Sequence, residues 1–134
     1  MMKIPFYFID KFEPKNGDLC LRVPAQILNK YDLFTVFEDG LKFPDYFGRN
    51  WDAFEECIRD LSWLQEGRIV VNHSDIPLVN DLSNSMIYVA ILVGAIRKLS
   101  KSENHKLVVL FPNALREQIG WLLRSEQMQE ERRR

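Results

Sequence analysis

RIVVN, at residues 68–72, is apolar on three successive positions and rich in β-branched side chains. A strand with one wet face would alternate polar and apolar residues. An unbroken apolar run suits a strand of a parallel sheet covered on both faces. KLVVLF, at residues 106–111, has the same character. Parallel neighbours need a crossover connection, and MIYVAILVGAIRKL, residues 86–99, supplies a helical one. Over residues 86–96 that helix is apolar on all sides, with Gly94 admitting a close neighbour, so it needs cover on more than one face. A last helix is expected after Asn113, carrying Leu115, Ile119, Leu122 and Leu123 with Trp121 beside them. Residues 114–123 are therefore expected to dock as that cover, while the final QEERRR frays.

Towards the N-terminus, FYFI (residues 6–9) and LCLRV (residues 19–23) read as strands. The EPKNGD between them carries turn chemistry that could make them a hairpin. NKYDLFTVFEDGL, residues 29–41, has helical spacing at Leu33, Phe34, Phe37 and Leu41, with Gly40 as a stop. The pattern is that of a single α/β domain.

A chain of 134 residues, 46% hydrophobic and 28% charged, can bury a core without disulfides or metal. The net charge of −1 provides no overall field to recruit nucleic acid or a membrane surface. Cys20 and Cys57 lie in apolar surroundings and match no zinc or redox spacing, so both read as buried, reduced thiols. The apolar run in the first residues is too short for a signal peptide and lacks a small-residue cleavage site. The run at residues 86–96 is too short to span a bilayer. A soluble, cytoplasmic protein is the expectation.

The segment FPDYFGRNWDAFEEC, residues 43–57, joins an aromatic loop to a helix. Pro44 and Gly48 make its first half a loop, and Asn50 is placed to cap a helix starting at Trp51. On a period of 3.6 residues, Trp51, Phe54, Ile58 and Leu61 share one face, with Cys57 near it. Asp52, Glu55, Glu56, Arg59 and Asp60 take the other. Residues 45–60 hold five acids and two bases, a net −3 inside a chain of net −1. Acids are favoured in a first helical turn, and charges opposite an apolar stripe are what any surface helix shows. The aromatic loop beside them, with Tyr46 and Phe47, fits an interface with aromatic anchors and charge complementarity.

LKFPDYFGRNWDAFEECI, residues 41–58, resembles the central motif of the barstar family, intracellular protein inhibitors of ribonucleases such as barnase. The matching positions are Pro44, Asp45, Tyr46, Phe47, Gly48, Asn50, Trp51, Asp52 and Ala53. The resemblance covers about residues 19–111, strong in the middle and looser at the ends, leaving residues 1–18 and 113–134 as extensions. It implies a small parallel three-stranded sheet packed with helices, here with an added N-terminal strand or hairpin and a C-terminal helix. It also implies an inhibitor without catalysis or cofactor, binding a ribonuclease with a basic active site in a one-to-one complex. The partner-binding residues it suggests, together with their neighbours, are Tyr46, Phe47, Gly48, Asn50, Asp52, Glu55, Glu56 and Arg59.

The chemistry agrees. Arg, Lys and His side chains that hold RNA phosphates would accept carboxylates, and Asp52 and Glu56 stand one helical turn apart. Tyr46 would add buried area at low entropic cost, and Gly48 would let the partner approach the backbone. Three departures from the family pattern stand out. Glu56 stands in place of an Asp, placing its charge about 1.5 Å further out. Glu55 replaces an aromatic residue, and Arg97 and Lys98 occupy the region of a secondary acidic contact. An Asp52–Glu56 general acid–base pair is the enzymatic alternative, without any other sign of a sugar cleft. A non-inhibitory adaptor for some other basic partner is the second. His73 and His105 lack metal-site spacing, and His73, at a strand end, reads as a surface or hydrogen-bonded histidine. Phe43 and Trp63 fit core or interface equally. The terminal RRR beside two glutamates is too short to argue nucleic-acid binding.

Overall fold

The computed structural model describes residues 3–132. Four strands, β1 (Tyr7–Phe8), β2 (Asp18–Val23), β3 (Arg68–His73) and β4 (Lys106–Phe111), form one sheet in the order β1-β4-β3-β2. Every pairing is parallel. Four α-helices accompany them: α1 (Lys30–Gly40), α2 (Trp51–Asp60), α3 (Leu82–Leu99) and α4 (Arg116–Arg132), the last preceded by a 3-10 turn at Asn113–Leu115.

The small parallel three-stranded sheet that the family resemblance implies is present as β2, β3 and β4, with the two apolar runs as β3 and β4. Ile69 and Val71 of β3 and Leu107, Val109 and Phe111 of β4 enter the main core, while Val70 and Leu110 are buried outside that cluster. The centre of the sheet is thus covered on both faces, which explains why those strands read as unbroken apolar runs. Asp18 and Arg68 stand opposite each other at the start of β2 and β3. The Arg68 guanidinium donates to both Asp18 carboxylate oxygens, Nε at 2.9 Å and Nη2 at 2.6 Å. That fork holds the Asp18 carboxyl down at about 2, with help from the Lys15 backbone N–H.

The N-terminal hairpin does not form. β1 pairs with β4, at the opposite edge of the sheet from β2. The turn chemistry is used, with Asp18 N–H donating to Lys15 O at 3.1 Å and Gly17 at φ 93°, but it delivers the chain into β2 alone. What draws β1 away is aromatic surface: Phe6 and Phe8 pack on Phe111 at ring-centroid distances of 5.3 and 6.4 Å.

Helix α3, eighteen residues with a mean hydropathy of 1.3, has the length and composition of a membrane span. It packs against α2, α4 and β4, as the crossover helix of a core does. From α4, Ile119, Leu122 and Leu123 are buried, so the C-terminal helix does dock on the body. Trp121 was expected among those leucines but is 47% exposed, because it falls on the outer face of the helix. Of the terminal QEERRR, expected to fray, residues 129–132 continue α4, and Arg133 and Arg134 lie outside the described residues. Cys20, expected buried, is exposed on the edge strand β2, whereas Cys57 is buried.

His73 is internal and not on the surface. Its ring stacks on Phe111 at 4.0 Å and 10°, Nδ1 is 2.9 Å from Leu110 O, and Nε2 is 2.7 Å from Tyr88 Oη. A carbonyl only accepts, so Nδ1 carries the proton and Nε2 accepts from the Tyr88 hydroxyl. Burial pushes this imidazole down to about 3 and the Tyr88 phenol well up.

Candidate functional site

The loop before α2 is built by burying alternate aromatics. Phe43 and Phe47 both enter the core and meet edge to face at 5.0 Å. Phe47 N–H donates to Pro44 O at 2.9 Å, closing a turn. The residue between Pro44's turn and Phe47 is thereby thrown outward, and Tyr46 is 75% exposed. Phe47, expected at the partner surface, is 6% exposed and belongs to the core. Two consecutive aromatics on a tight turn cannot both face outward, and Phe34 meets the Phe47 ring at 5.6 Å from inside. Phe43 and Trp63 are structural as well: their rings meet at 5.9 Å, and the Trp63 indole N–H donates to Leu41 O at 2.8 Å.

Arg49 fixes the loop to α1. Its Nη1 donates to Glu38 Oε1 at 2.7 Å, and its Nη2 donates to Tyr31 O and Thr35 Oγ1, both at 2.9 Å. The backbone turns into α2 at this residue, with φ 55°, so the left-handed position is Arg49 and not Gly48. A Cβ at Gly48 would meet only ordinary contacts, Asn50 Nδ2 at 3.5 Å and Ala53 Cβ at 3.9 Å. Nothing inside the chain demands glycine there. Asn50 caps α2 as its chemistry predicts, its side-chain oxygen accepting from Ala53 N–H at 2.8 Å. Trp51 then anchors the first turn, donating from its indole to Asn84 Oδ1 at 2.8 Å and packing on Phe34.

Phe54, Cys57 and Ile58 turn inward, so α2 is held from behind by a continuous aromatic and aliphatic cluster. Burial, then Asp60 and Glu56, push the Cys57 thiol up, which suits a packing role and not a nucleophile. On the outer side Asp52 and Glu56 are exposed, and their carboxylates engage no hydrogen bond or ion pair among the described residues. Glu55 approaches Arg59 at 3.8 Å, one turn on, in the favoured acid-before-base order.

A surface hollow of about 380 Å³ gathers part of the predicted set. Tyr46, Glu55, Glu56 and Arg59 line it, together with Asp60, Cys57 and Lys98. Gly48, Asn50 and Asp52 lie at the start of the same helix, outside the hollow's lining. Lys98 was outside the predicted set, although the family resemblance had marked residues 97–98 as the region of a secondary contact. It comes from the end of α3, and only the packing of α2 on α3 brings it here. Apart from that resemblance, no local pattern in the sequence carries the information.

The arrangement is an open, rigidly backed ridge with charged and aromatic side chains presented to solvent. It is not an enclosed cleft between two carboxylates, and among the described residues no group of three His, Cys, Asp or Glu could hold a metal ion. Exposed aromatic and charged side chains on a rigid support are the composition of docking surfaces in general. The family comparison agrees: residues 23–112 match the model described as Barstar (barnase inhibitor), and the chain belongs to that family. A comparison with curated proteins returned no match.

Proposed function

We propose that the chain binds a ribonuclease in a one-to-one complex and blocks its active site with the loop and helix of residues 46–56, without catalysis of its own. The observation that carries this reading is the presentation of Tyr46, Asp52 and Glu56. All three are exposed, the two carboxylates have no hydrogen-bond or ion-pair partner among the described residues, and the helix behind them is anchored through Arg49, Asn50 and Trp51. Pre-organised charges of this kind bind without first breaking ion pairs of their own. On the nuclease they would occupy the positions of RNA phosphates, against the Arg, Lys and His side chains that hold them. Tyr46 would be the buried anchor, with Gly48 and Asn50 shaping the backbone contact and Glu55 and Arg59 at the margin. The site of action would be the cytoplasm, against the cell's own nuclease or one delivered to it as a toxin.

The test is an RNA-cleavage titration of barnase-type ribonucleases with wild type and with Glu56→Ala. A sharp endpoint at equimolar protein is expected for the cognate enzyme, weakened in the variant. Removing one partner of a buried charge pair costs about 2–5 kcal/mol, a range known in part from barnase and its inhibitor and not worked from this chain. Undiminished inhibition by both Glu56→Ala and Asp52→Ala would refute the acidic plug. A non-inhibitory adaptor is the second reading, favoured by the cationic Arg59 and Lys98 in the same hollow, which a plug for a uniformly basic site does not need. A complex that forms at equimolar ratio and leaves RNA cleavage intact would establish it.

A further inference from the structure

The acidic hollow does not end at Asp60. A second hollow of about 510 Å³ adjoins it, and Arg59, Asp60 and Lys98 line both. Beyond that shared border the lining changes sign, with Lys101 added and no acid other than Asp60. The ammonium groups of Lys98 and Lys101 make no hydrogen bond or ion pair among the described residues. Nearby Lys106 differs, its amine being tied to the Ser100 and Ser102 carbonyls. Lys98, at the end of α3, therefore shares a hollow with Glu55 and Glu56, and Lys101, just past the end of that helix, stands in the adjoining one.

We propose that Lys98, supported by Lys101, is a specificity-determining residue of the binding face, selecting partners that carry an acidic side chain beside their basic site. The inference rests on the function proposed above and deepens it. A partner basic throughout its rim meets Lys98 with like charge as it docks on Glu55 and Glu56, and like-charge juxtaposition at an interface rejects it. A partner with a carboxylate at that place gains a pair where the uniformly basic one meets repulsion. The recognised chemistry is thus bipolar, a cationic cluster followed by an anionic group.

The test uses a displayed library of disulfide-closed 12-residue peptides, with four full-length baits: wild type, Lys98→Glu, Lys101→Glu, and the double variant Glu55→Gln, Glu56→Gln. Clones enriched on wild type are expected to combine Arg or Lys with Asp or Glu. Those enriched on Lys98→Glu should lose the acidic residues, and wild-type clones should bind Lys98→Glu at least fivefold more weakly. Lys101→Glu should weaken them less. Wild-type clones as uniformly basic as those from Lys98→Glu would overturn the inference, as would wild-type clones that bind wild type and Lys98→Glu equally. Failure of the underlying reading looks different: basic clones would then be enriched equally on the double variant.

Discussion

Lowering the pH should weaken this fold through one residue. His73 is neutral and fully enclosed, with its Nδ1–H on Leu110 O and Nε2 accepting from Tyr88, and burial pushes it down to about 3. In the unfolded chain its reference value is 6.5. A base whose folded value is depressed binds a proton in the unfolded state first, so protonation favours unfolding. Stability is full above about pH 6.5 and falls as the pH drops, until the folded imidazole itself titrates near 3. The slope approaches about 1.4 kcal/mol per pH unit once the unfolded imidazole is mostly protonated, so moving from pH 6.5 to 4.5 removes about 2.3 kcal/mol. For a domain of ordinary stability, about 5–15 kcal/mol, that is a large fraction. Asp18 does not confuse the window. Its carboxyl is held at about 2 against a reference of 3.8, so its contribution is lost as the pH falls from about 3.8 to 2, below the window of the assay. The assay is urea unfolding at pH 7, 6.5, 5.5 and 4.5 for wild type and His73→Gln. The variant should be less stable at pH 7, because it loses the ring stack on Phe111, yet its stability should change less with pH. Other titrating groups contribute alike to both proteins, so the difference between the two slopes isolates His73. Parallel curves between pH 6.5 and 4.5 would refute the buried neutral imidazole.

Two further outcomes concern the loop. Phe47→Ala should cost about 3–5 kcal/mol of stability as a buried aromatic truncation, whereas Tyr46→Ala should stay within about 0.5 kcal/mol while losing partner affinity; chemical denaturation of both and inhibition by Tyr46→Ala check the division of labour. Arg49→Ala should lower stability by only about 1 kcal/mol, since the clamp is partly exposed. It should nevertheless speed hydrogen exchange at the first amides of α2, and unchanged exchange there would show that the loop is held by its aromatics alone.

Much of the fold was legible because its signals are local or periodic. The parallel strands announced themselves as unbroken apolar runs, Asn50 as a cap, and α3 as a helix needing cover on several sides. Gly40 shows how a correct local sign can have a further cause. It is the last residue of α1, but a Cβ there would also collide with the Leu21 side chain of β2. The misplacements have one origin, which is that a sequence does not say which uncovered surface lies nearest. The turn at residues 15–18 was real, yet β1 crossed to β4 because Phe111 offered its ring there. Cys20 and Trp121 point outward because one lies on an edge strand and the other on the outer side of a docked helix.

The electrostatics of the site were misjudged for the same reason. Counted along residues 45–60, two arginines offset five acids. In space those two arginines do different things. Arg49 gives its charge to Glu38 and two further acceptors on α1, so it subtracts nothing from the presented face. Arg59 stays at the rim, loosely paired with Glu55, and Lys98 arrives from a helix some forty residues later. The carboxylates of Asp52 and Glu56 are consequently freer than the window count implies, while the border beside them is more cationic. A binding face of this kind has its affinity written in the loop and helix that the family motif marks. On the proposed reading, its choice of partner would lie in the distant charges that the fold withdraws or brings in, Arg49 being tied back to α1 and Lys98 brought into the hollow.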